Sequence, residues 1–336
     1  MVTLTELCDT LPPNAEIQSA FIKAWPKIHG YTRPNGAAFT LYPTIMASVS
    51  GGSDSDIMLD LIERIGHPLS TVHYVFFDTG MEFEATKRHL TCLEGKYGIT
   101  IKRYPAVVPV PLGVKRYGIP FISKQVSEYA QRLQKHNFKW EDRPFDELYA
   151  EYPRCKAALR WWCNAWGPNS KMNIDQNPGL KEFMTQNPPD FPISNLCCEG
   201  AKKKTAYLIE KEIHPDLSCQ GLRKAEGGSR ASHFTSCFTE NFGSTDQFRP
   251  IFWFKQDTKQ VYEDFFGLSH SDCYTKYGLK RTGCACCPFG RNFETELAAA
   301  EQFEPKLYKA AWNVFGKSYD YTRRYREFVK SKKGLT

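Results

Sequence analysis

Two sets of residues in this chain have the types and spacing to do chemistry. The first is Ser50-Gly51-Gly52-Ser53-Asp54-Ser55. Glycines let a backbone turn tightly and approach a ligand. The N–H groups of such a turn, continued by a helix N-terminus, point at an anion. Serine and aspartate also serve there as plain N-caps. The whole string, set between an apolar run and a helical pattern, points to nucleotide phosphates. It is not a Walker A loop, because it has no Gly-Lys-Ser/Thr. The second set is the cysteines. The chain has 12, and they crowd late, at 197, 198, 219, 237, 273, 284, 286 and 287. Disulfides explain them poorly in a reducing compartment. Cys197 and Cys198 together with the Cys-x-x-Cys pair Cys284 and Cys287 supply four thiolates. That is enough for a [4Fe–4S] cluster or a four-cysteine zinc site. Lys202-Lys203-Lys204 and Arg281 would offset the negative charge of such a centre. Cys286 and Cys273 are spare thiols, either of which could replace Cys197. Cys155, Cys163, Cys219 and Cys237 read as core residues or free thiols.

These residues need elements to position them. Pro43–Val49 is a short apolar run followed by turn residues and reads as a buried strand. Asp54–Ile65 carries Ile57, Met58, Leu61, Ile62 and Ile65 at helical spacing. Val72–Phe77 and Ile99–Tyr104 read as further strands, with Glu84–Tyr97 a helix between them. Alternating strand and helix predict an α/β fold with a doubly wound parallel sheet. Ligands of such sheets bind at the carboxyl ends of the strands, which places Asp78 and Thr79 beside the loop. The pattern resumes at Leu217–Leu222. Phe252–Phe266 reads as a strand end followed by a helix. Before the sheet, Ala15–Trp25 reads as a helix and Tyr31–Gly36 as a Pro/Gly-rich connection. Residues 105–192, rich in Pro, Trp and Tyr and with a helix near Lys124–Lys135, read as an insertion or lid packed on the sheet. Leu297–Lys332 reads as two helical pieces. The expected organisation is an N-terminal helical extension (1–40), a main domain (41–290) with that insertion, and a basic helical segment (291–336).

The loop string resembles the PP-loop of the ATP pyrophosphatase superfamily, with its Ser-Gly-Gly-x-Asp-Ser pattern. Phe77-Asp78-Thr79-Gly80, with Glu82 and Thr86, resembles the phosphoadenylyl-sulfate (PAPS) reductase branch of that superfamily. Gly221-Leu222-Arg223, with Glu226, Ser229 and Arg230, is similar to that branch's Gly-x-Arg and Ser-x-Arg motif. Paired arginines also suit bidentate phosphate contacts in their own right. Arg249-Pro250-Ile251, Trp253, Asp257 and Val261 resemble its Arg-Pro-Leu-x-x-Trp strand and following helix. The Cys-Cys and Gly-Cys-x-x-Cys pairs resemble the cluster-binding pattern of adenylyl-sulfate reductases. The Cys-x-x-Cys-Pro ending also resembles the C-type proteins of DNA phosphorothioation. The resemblance implies a Rossmann-like nucleotide fold that binds ATP with Mg²⁺ and holds a [4Fe–4S] cluster. It assigns nucleotide binding to Ser50–Ser55, Asp78, Thr79, Gly80, Gly221, Arg223 and Arg230. It assigns catalysis to Asp54, Ser55, Arg223 and Arg230, with Asp54 organising the Mg²⁺. Cluster ligation falls to Cys197, Cys198, Cys284 and Cys287.

Two departures shape the expected function. No cysteine follows Cys287, so the Glu-Cys-Gly-x-His tail of the sulfonucleotide reductases has no counterpart. The loop also keeps Asp54 and Ser55, which those reductases usually lack. Both favour ATP cleavage to AMP and pyrophosphate, activating an acceptor, expected to be nucleic acid, for sulfur transfer. The alternatives are a PAPS or adenylyl-sulfate reductase using thioredoxin, and a nucleotide-binding subunit without turnover. A sulfur-donor or electron-donor protein and a homodimer are expected partners.

Composition is compatible with all three. Lys plus Arg number 44 against 37 Asp plus Glu, giving +7. Residues 317–333 hold seven Lys/Arg against Asp320 and Glu327, interleaved with Tyr319, Tyr321, Tyr325 and Phe328. Such a segment suits a phosphate backbone or an amphipathic helix with a solvated basic face. No run of ~18 apolar residues appears, and Met1–Asp9 has no basic or apolar leader character. A cytoplasmic protein with no membrane contact is expected.

Overall fold

The structure is a computed structural model that describes residues 3–227, 233–241 and 243–334. Its helices are α1 (Leu4–Asp9), α2 (Ala15–Ile28), α3 (Ser53–Ile65), α4 (Glu84–Tyr97), α5 (Val110–Tyr117), α6 (Lys124–Gln134), α7 (Phe145–Glu151), α8 (Lys156–Trp162), α9 (Leu180–Gln186), α10 (Lys204–Ile213), α11 (Gln256–Phe266), α12 (Asp272–Thr275), α13 (Phe293–Phe303) and α14 (Pro305–Lys333). Strands β1 (Tyr31–Thr32), in the Pro/Gly-rich connection, and β2 (Ala38–Phe39), just after it, form a small antiparallel pair. The main sheet comprises β3 (Thr44–Ser48), β4 (Thr71–Asp78), β5 (Ile101–Pro105), β6 (Leu217–Gln220), β7 (Phe238–Thr239) and β8 (Asp246–Phe248).

The sheet order is β5-β4-β3-β6-β8-β7. All neighbours are parallel except the edge pair β7–β8. The chain winds outward from β3 through β4 to β5, then returns to β6 on the other side of β3. The direction of winding therefore reverses between β3 and β6, the point where open α/β sheets bind ligands. Side-chain alternation covers both faces. Ile45 and Ala47 join a core with α2, α3 and α4, whereas Met46 and Val75 pack with Ile209 of α10. The fold is thus the doubly wound α/β sheet that the periodicities predict.

Some boundaries differ from the sequence reading. The strand near residue 252 lies earlier, at Asp246–Phe248. Pro250 has no N–H to give a ladder, and the chain turns there, with Phe252 N–H bonded to Arg249 O. The two C-terminal helices break at Glu304, immediately before Pro305, as expected for a residue preceding proline.

The chain forms two compact units. One holds residues 1–78, 82–105 and 205–283, and the other 79–81, 106–204 and 284–336. The first contains the whole main sheet. The second has its own aromatic core, in which Trp161 and Trp162 are fully buried with Phe121, Phe183, Phe191 and Tyr321. Among the described residues, no helix is long and apolar enough to cross a membrane.

Candidate phosphate loop and cysteine centre

Strand β3 ends at Ser48, and the loop Ser50–Ser55 leads directly into α3. Gly51 has φ +67°, a left-handed conformation that favours glycine. A Cβ there would stand 2.7 Å from Thr86 Cγ2, and one on Gly52 would stand 2.9 Å from Thr282 Oγ1. Ser55 braces the loop: its Oγ accepts from Ser50 N–H at 3.1 Å and donates to Gly52 O at 2.8 Å. Ser53 N–H donates to the Tyr274 hydroxyl at 3.1 Å.

The segment after β6 packs directly on this loop. A Cβ on Gly221 would lie 2.7 Å from both Asp54 O and Ser55 Cα, so only glycine fits. Arg223 is buried, and its Nε lies 2.8 Å from Asp54 Oδ2 without hydrogen-bond alignment. The other oxygen, Oδ1, accepts from Lys259 Nζ at 2.8 Å, and Lys259 also bonds Ser53 Oγ. Both oxygens of Asp54 thus face cations. A Mg²⁺ ion usually binds through one or two carboxylates together with substrate phosphates. The expectation that Asp54 organises Mg²⁺ does not fit this arrangement, and no step is derived through the ion.

Asp78 closes β4 at the same carboxyl edge and lies 3.8 Å from Lys87 Nζ. Thr79 and Gly80 belong to the second unit, where Thr79 is buried and its O accepts from Val110 N–H. Arg230, with Ser229, lies outside the described residues.

Sequence reasoning missed the groups behind the loop. Asp56 is fully buried, and its Oδ2 lies 2.8 Å from both His89 Nε2 and His270 Nδ1. His270 Nε2 lies 2.7 Å from Glu263, which is itself 3.6 Å from Lys259 Nζ. Burial opposes charge on His270, but Asp56 and Glu263 outweigh it and raise its pKa to about 9. Burial likewise opposes charge on Asp56, yet His270 and His89 hold its carboxyl below the usual range. Further along α3, buried Asp60 accepts from Arg64 at 2.5 Å, Tyr97 at 2.6 Å and Tyr262 at 2.8 Å. Aspartates placed among Ile57, Met58, Leu59 and Leu61 were the available signal, since buried carboxylates need partners.

The four predicted cluster cysteines all lie in the second unit. Cys197 and Cys198 immediately precede a π-helical turn, Glu199–Lys203. Such turns are frequent at functional sites. A Cβ on Gly113 would lie 3.1 Å from Cys197 Cα, so α5 backs closely onto this pair. The Cys197 thiol is pushed up by its hydrogen bond to Cys198, by burial, and by Cys287 and Cys284. Its partner Cys198 is lowered to about 6, first by Cys197 and then, against burial, by Lys124, Lys202 and Lys203. Cys287 is pushed up by burial, Cys284 and Cys198. The four sulfurs therefore feel one another, with lysines beside them. Cys284 also donates to Thr79 Oγ1 at 3.5 Å.

The backbone of Cys286 is pinned on both sides. It has φ +57°, its N–H donates to Glu296 Oε2 at 2.8 Å, and its carbonyl accepts from Tyr319 OH at 2.5 Å. Burial, Glu296, Cys287 and Glu304, in that order, push its thiol up. Cys273 is buried in the first unit against Thr86. Among the described residues, no group of three or more His, Cys, Asp or Glu is gathered tightly enough to hold a single metal ion. A four-iron cube holds its cysteines further apart than one ion does. The four thiols with adjacent lysines fit such a cluster in donor type and charge.

The basic C-terminal segment lies in α14 with aromatic residues inward and Lys317, Arg324, Lys330 and Lys332 exposed, the amphipathic helix that its sequence suited. Tyr319 and Tyr321 are buried, Arg326 pairs with Glu294, and Lys332 pairs with Glu182.

A phosphoadenosine phosphosulfate reductase domain matches residues 44–288. The chain belongs to that family. Among solved structures, it is similar to a PAPS reductase from Candida auris in complex with phosphate. The identity is 13%, covering 84% of this chain and 96% of that one, with a TM-score of 0.40. It is also similar to the U34-tRNA thiolase NcsA from Methanococcus maripaludis with its [4Fe-4S] cluster. Here the identity is 14%, covering 94% of this chain and 79% of that one, with a TM-score of 0.37. No curated protein matches it significantly.

Proposed function

We propose that this chain binds ATP at Ser50–Ser55, cleaves it to AMP and pyrophosphate, and so activates a nucleic acid acceptor for sulfur transfer. One observation carries the reading. At the reversal point of the sheet, the loops after β3 and β6 interlock and hold Arg223 at the N-terminus of α3. Phosphoryl transfer needs positioning and charge neutralisation more than covalent help. Loop N–H groups and Arg223 hold the phosphates, Arg230 joins them, and Ser55 keeps the loop in shape. The acceptor oxygen attacks the α-phosphorus. The bond from that phosphorus to the bridging oxygen breaks, pyrophosphate leaves with the electron pair, and AMP remains on the acceptor.

Cys197, Cys198, Cys284 and Cys287 would hold a [4Fe–4S] cluster, which when bound holds or delivers sulfur. Lys124, Lys202 and Lys203 offset the charge of these thiolates.

Family membership favours a second reading, a thioredoxin-dependent PAPS reductase. That chemistry needs an accessible thiolate. Cys273 is buried, and half-buried Cys237 would have to serve. Anaerobic protein given ATP and candidate acceptors should release pyrophosphate and exchange it into ATP. The same protein given PAPS and thioredoxin should release no sulfite. Sulfite without pyrophosphate would reverse the two readings.

A further inference from the structure

We infer that Lys259 is the phosphate-binding ammonium of this loop, delivered from α11 to a string that carries no basic residue of its own. The inference rests on reading Ser50–Ser55 as a phosphate site, and it names the group that meets the di- or triphosphate.

Three observations point the same way. First, Lys259 is buried, yet its Nζ is anchored at the loop, bonded to Ser53 Oγ and to Asp54 Oδ1 at 2.8 Å. Ser53 is the first residue of α3. A helix N-terminus carries partial positive charge and disfavours a cation, so an ammonium held there belongs with an anion. Second, Asp54 alone does not account for the lysine. Its other oxygen already faces Arg223 at 2.8 Å, so one carboxylate meets two buried cations. Buried charge needs compensation. Third, Glu263 does not supply that compensation fully. It stands 3.6 Å from Lys259 but only 2.7 Å from His270, whose raised pKa marks it as Glu263's charged partner. Lys259, Arg223 and His270 thus stand against Asp54, Asp56 and Glu263, a balanced set in which Asp54 is shared by two cations, and a ligand bearing several negative oxygens can replace it on both. Asp54 occupies Lys259 and Arg223 until a phosphate takes its place, and Ser53 keeps Lys259 aimed throughout the exchange.

The test measures binding of inorganic pyrophosphate and of ATP by calorimetry, without turnover. The variants are Lys259→Met, Lys259→Arg and the pair Asp54→Asn/Lys259→Met. Lys259→Met should weaken both ligands at least tenfold, and Lys259→Arg should recover most of the loss. The double variant removes the Asp54–Lys259 pair but leaves Arg223 without its carboxylate, so it should melt below the wild type, yet above Asp54→Ala, and still bind weakly. Wild-type protein that binds neither ligand would sink the phosphate-site reading itself. Wild-type binding with an unchanged dissociation constant in Lys259→Met would overturn only the role of Lys259. Recovery of wild-type affinity in the double variant would also overturn it, because Lys259 would then serve only to neutralise Asp54.

Discussion

Gly221 stands where any Cβ would lie 2.7 Å from the carbonyl oxygen of Asp54, so the loops after β3 and β6 fit together only while position 221 has no side chain. Both neighbouring atoms, Asp54 O and Ser55 Cα, are backbone, and neither yields cheaply. Gly221→Ala should therefore lower ATP affinity at least tenfold and depress the melting temperature. Gly51→Val/Gly52→Val should abolish binding. Calorimetry with ATP and a thermal melt check both.

Removing Asp54 strands two buried cations. Breaking a buried pair from one side costs about 3–5 kcal/mol. Asp54→Ala should unfold at markedly lower denaturant than the wild type, whereas Asp54→Asn/Lys259→Met should lose far less. Equilibrium urea unfolding distinguishes these outcomes.

His270 links stability to pH. Its pKa rises from 6.5 to about 9 in the folded state. Its charged form is held by Asp56 and Glu263, with the Tyr274 ring alongside and His89 and Lys259 one contact further away. A raised folded pKa gives stability that is complete below the unfolded value and is lost as pH climbs through the folded one. The melting temperature should fall between pH 6.5 and about 9, and this component should vanish in His270→Gln. An identical profile in that variant would remove His270 from the account.

Anaerobically isolated protein should be brown, with iron and acid-labile sulfide near about four each. Cys284→Ser and Cys287→Ser should lose most of both. Cys286→Ser should keep them, because the Cys286 thiol feels the acids Glu296 and Glu304, with no lysine among the groups that shift it, unlike Cys198. A colourless protein holding a single zinc would disprove the cluster.

Tyr319 ties the cysteine motif to α14 through its hydrogen bond to Cys286 O. Tyr319→Phe should cost about 1 kcal/mol and speed the loss of visible absorbance in air.

The strand–helix alternation from β3 to β5 was legible because its signals are local: a short apolar run through Ile45, Met46 and Ala47 closed by turn residues, then apolar residues at helical spacing through Ile65. The Gly-Gly loop between β3 and α3 and the Cys-x-x-Cys pair are short strings, plain in the sequence as candidates whose roles belong to the proposal above. Lys259 was not, because it meets Asp54 from 205 positions away. His270 meets Asp56 across 214. No local periodicity encodes such a meeting; only the buried aspartates of α3 hint that cations must arrive. The C-terminal segment left two readings open, a phosphate-contacting stretch and an amphipathic helix. Tyr321, Tyr325 and Phe328 follow the second: their spacing is that of a core-facing helical stripe, and they pack on Phe183. The strand placed near Phe252 failed because Pro250 turns the chain.

The aromatic core of the second unit has an optical consequence. Of the seven tryptophans, Trp140, Trp161, Trp162, Trp166 and Trp312 lie in the unit that carries the four cysteines, and only Trp25 and Trp253 lie with the phosphate loop. Intrinsic emission is therefore dominated by one half of the molecule. A fluorescence melt follows the cysteine-bearing unit, while circular dichroism averages both. A broadly absorbing chromophore seated at those thiols would quench this emission by energy transfer, so filling the centre can be timed from tryptophan light alone.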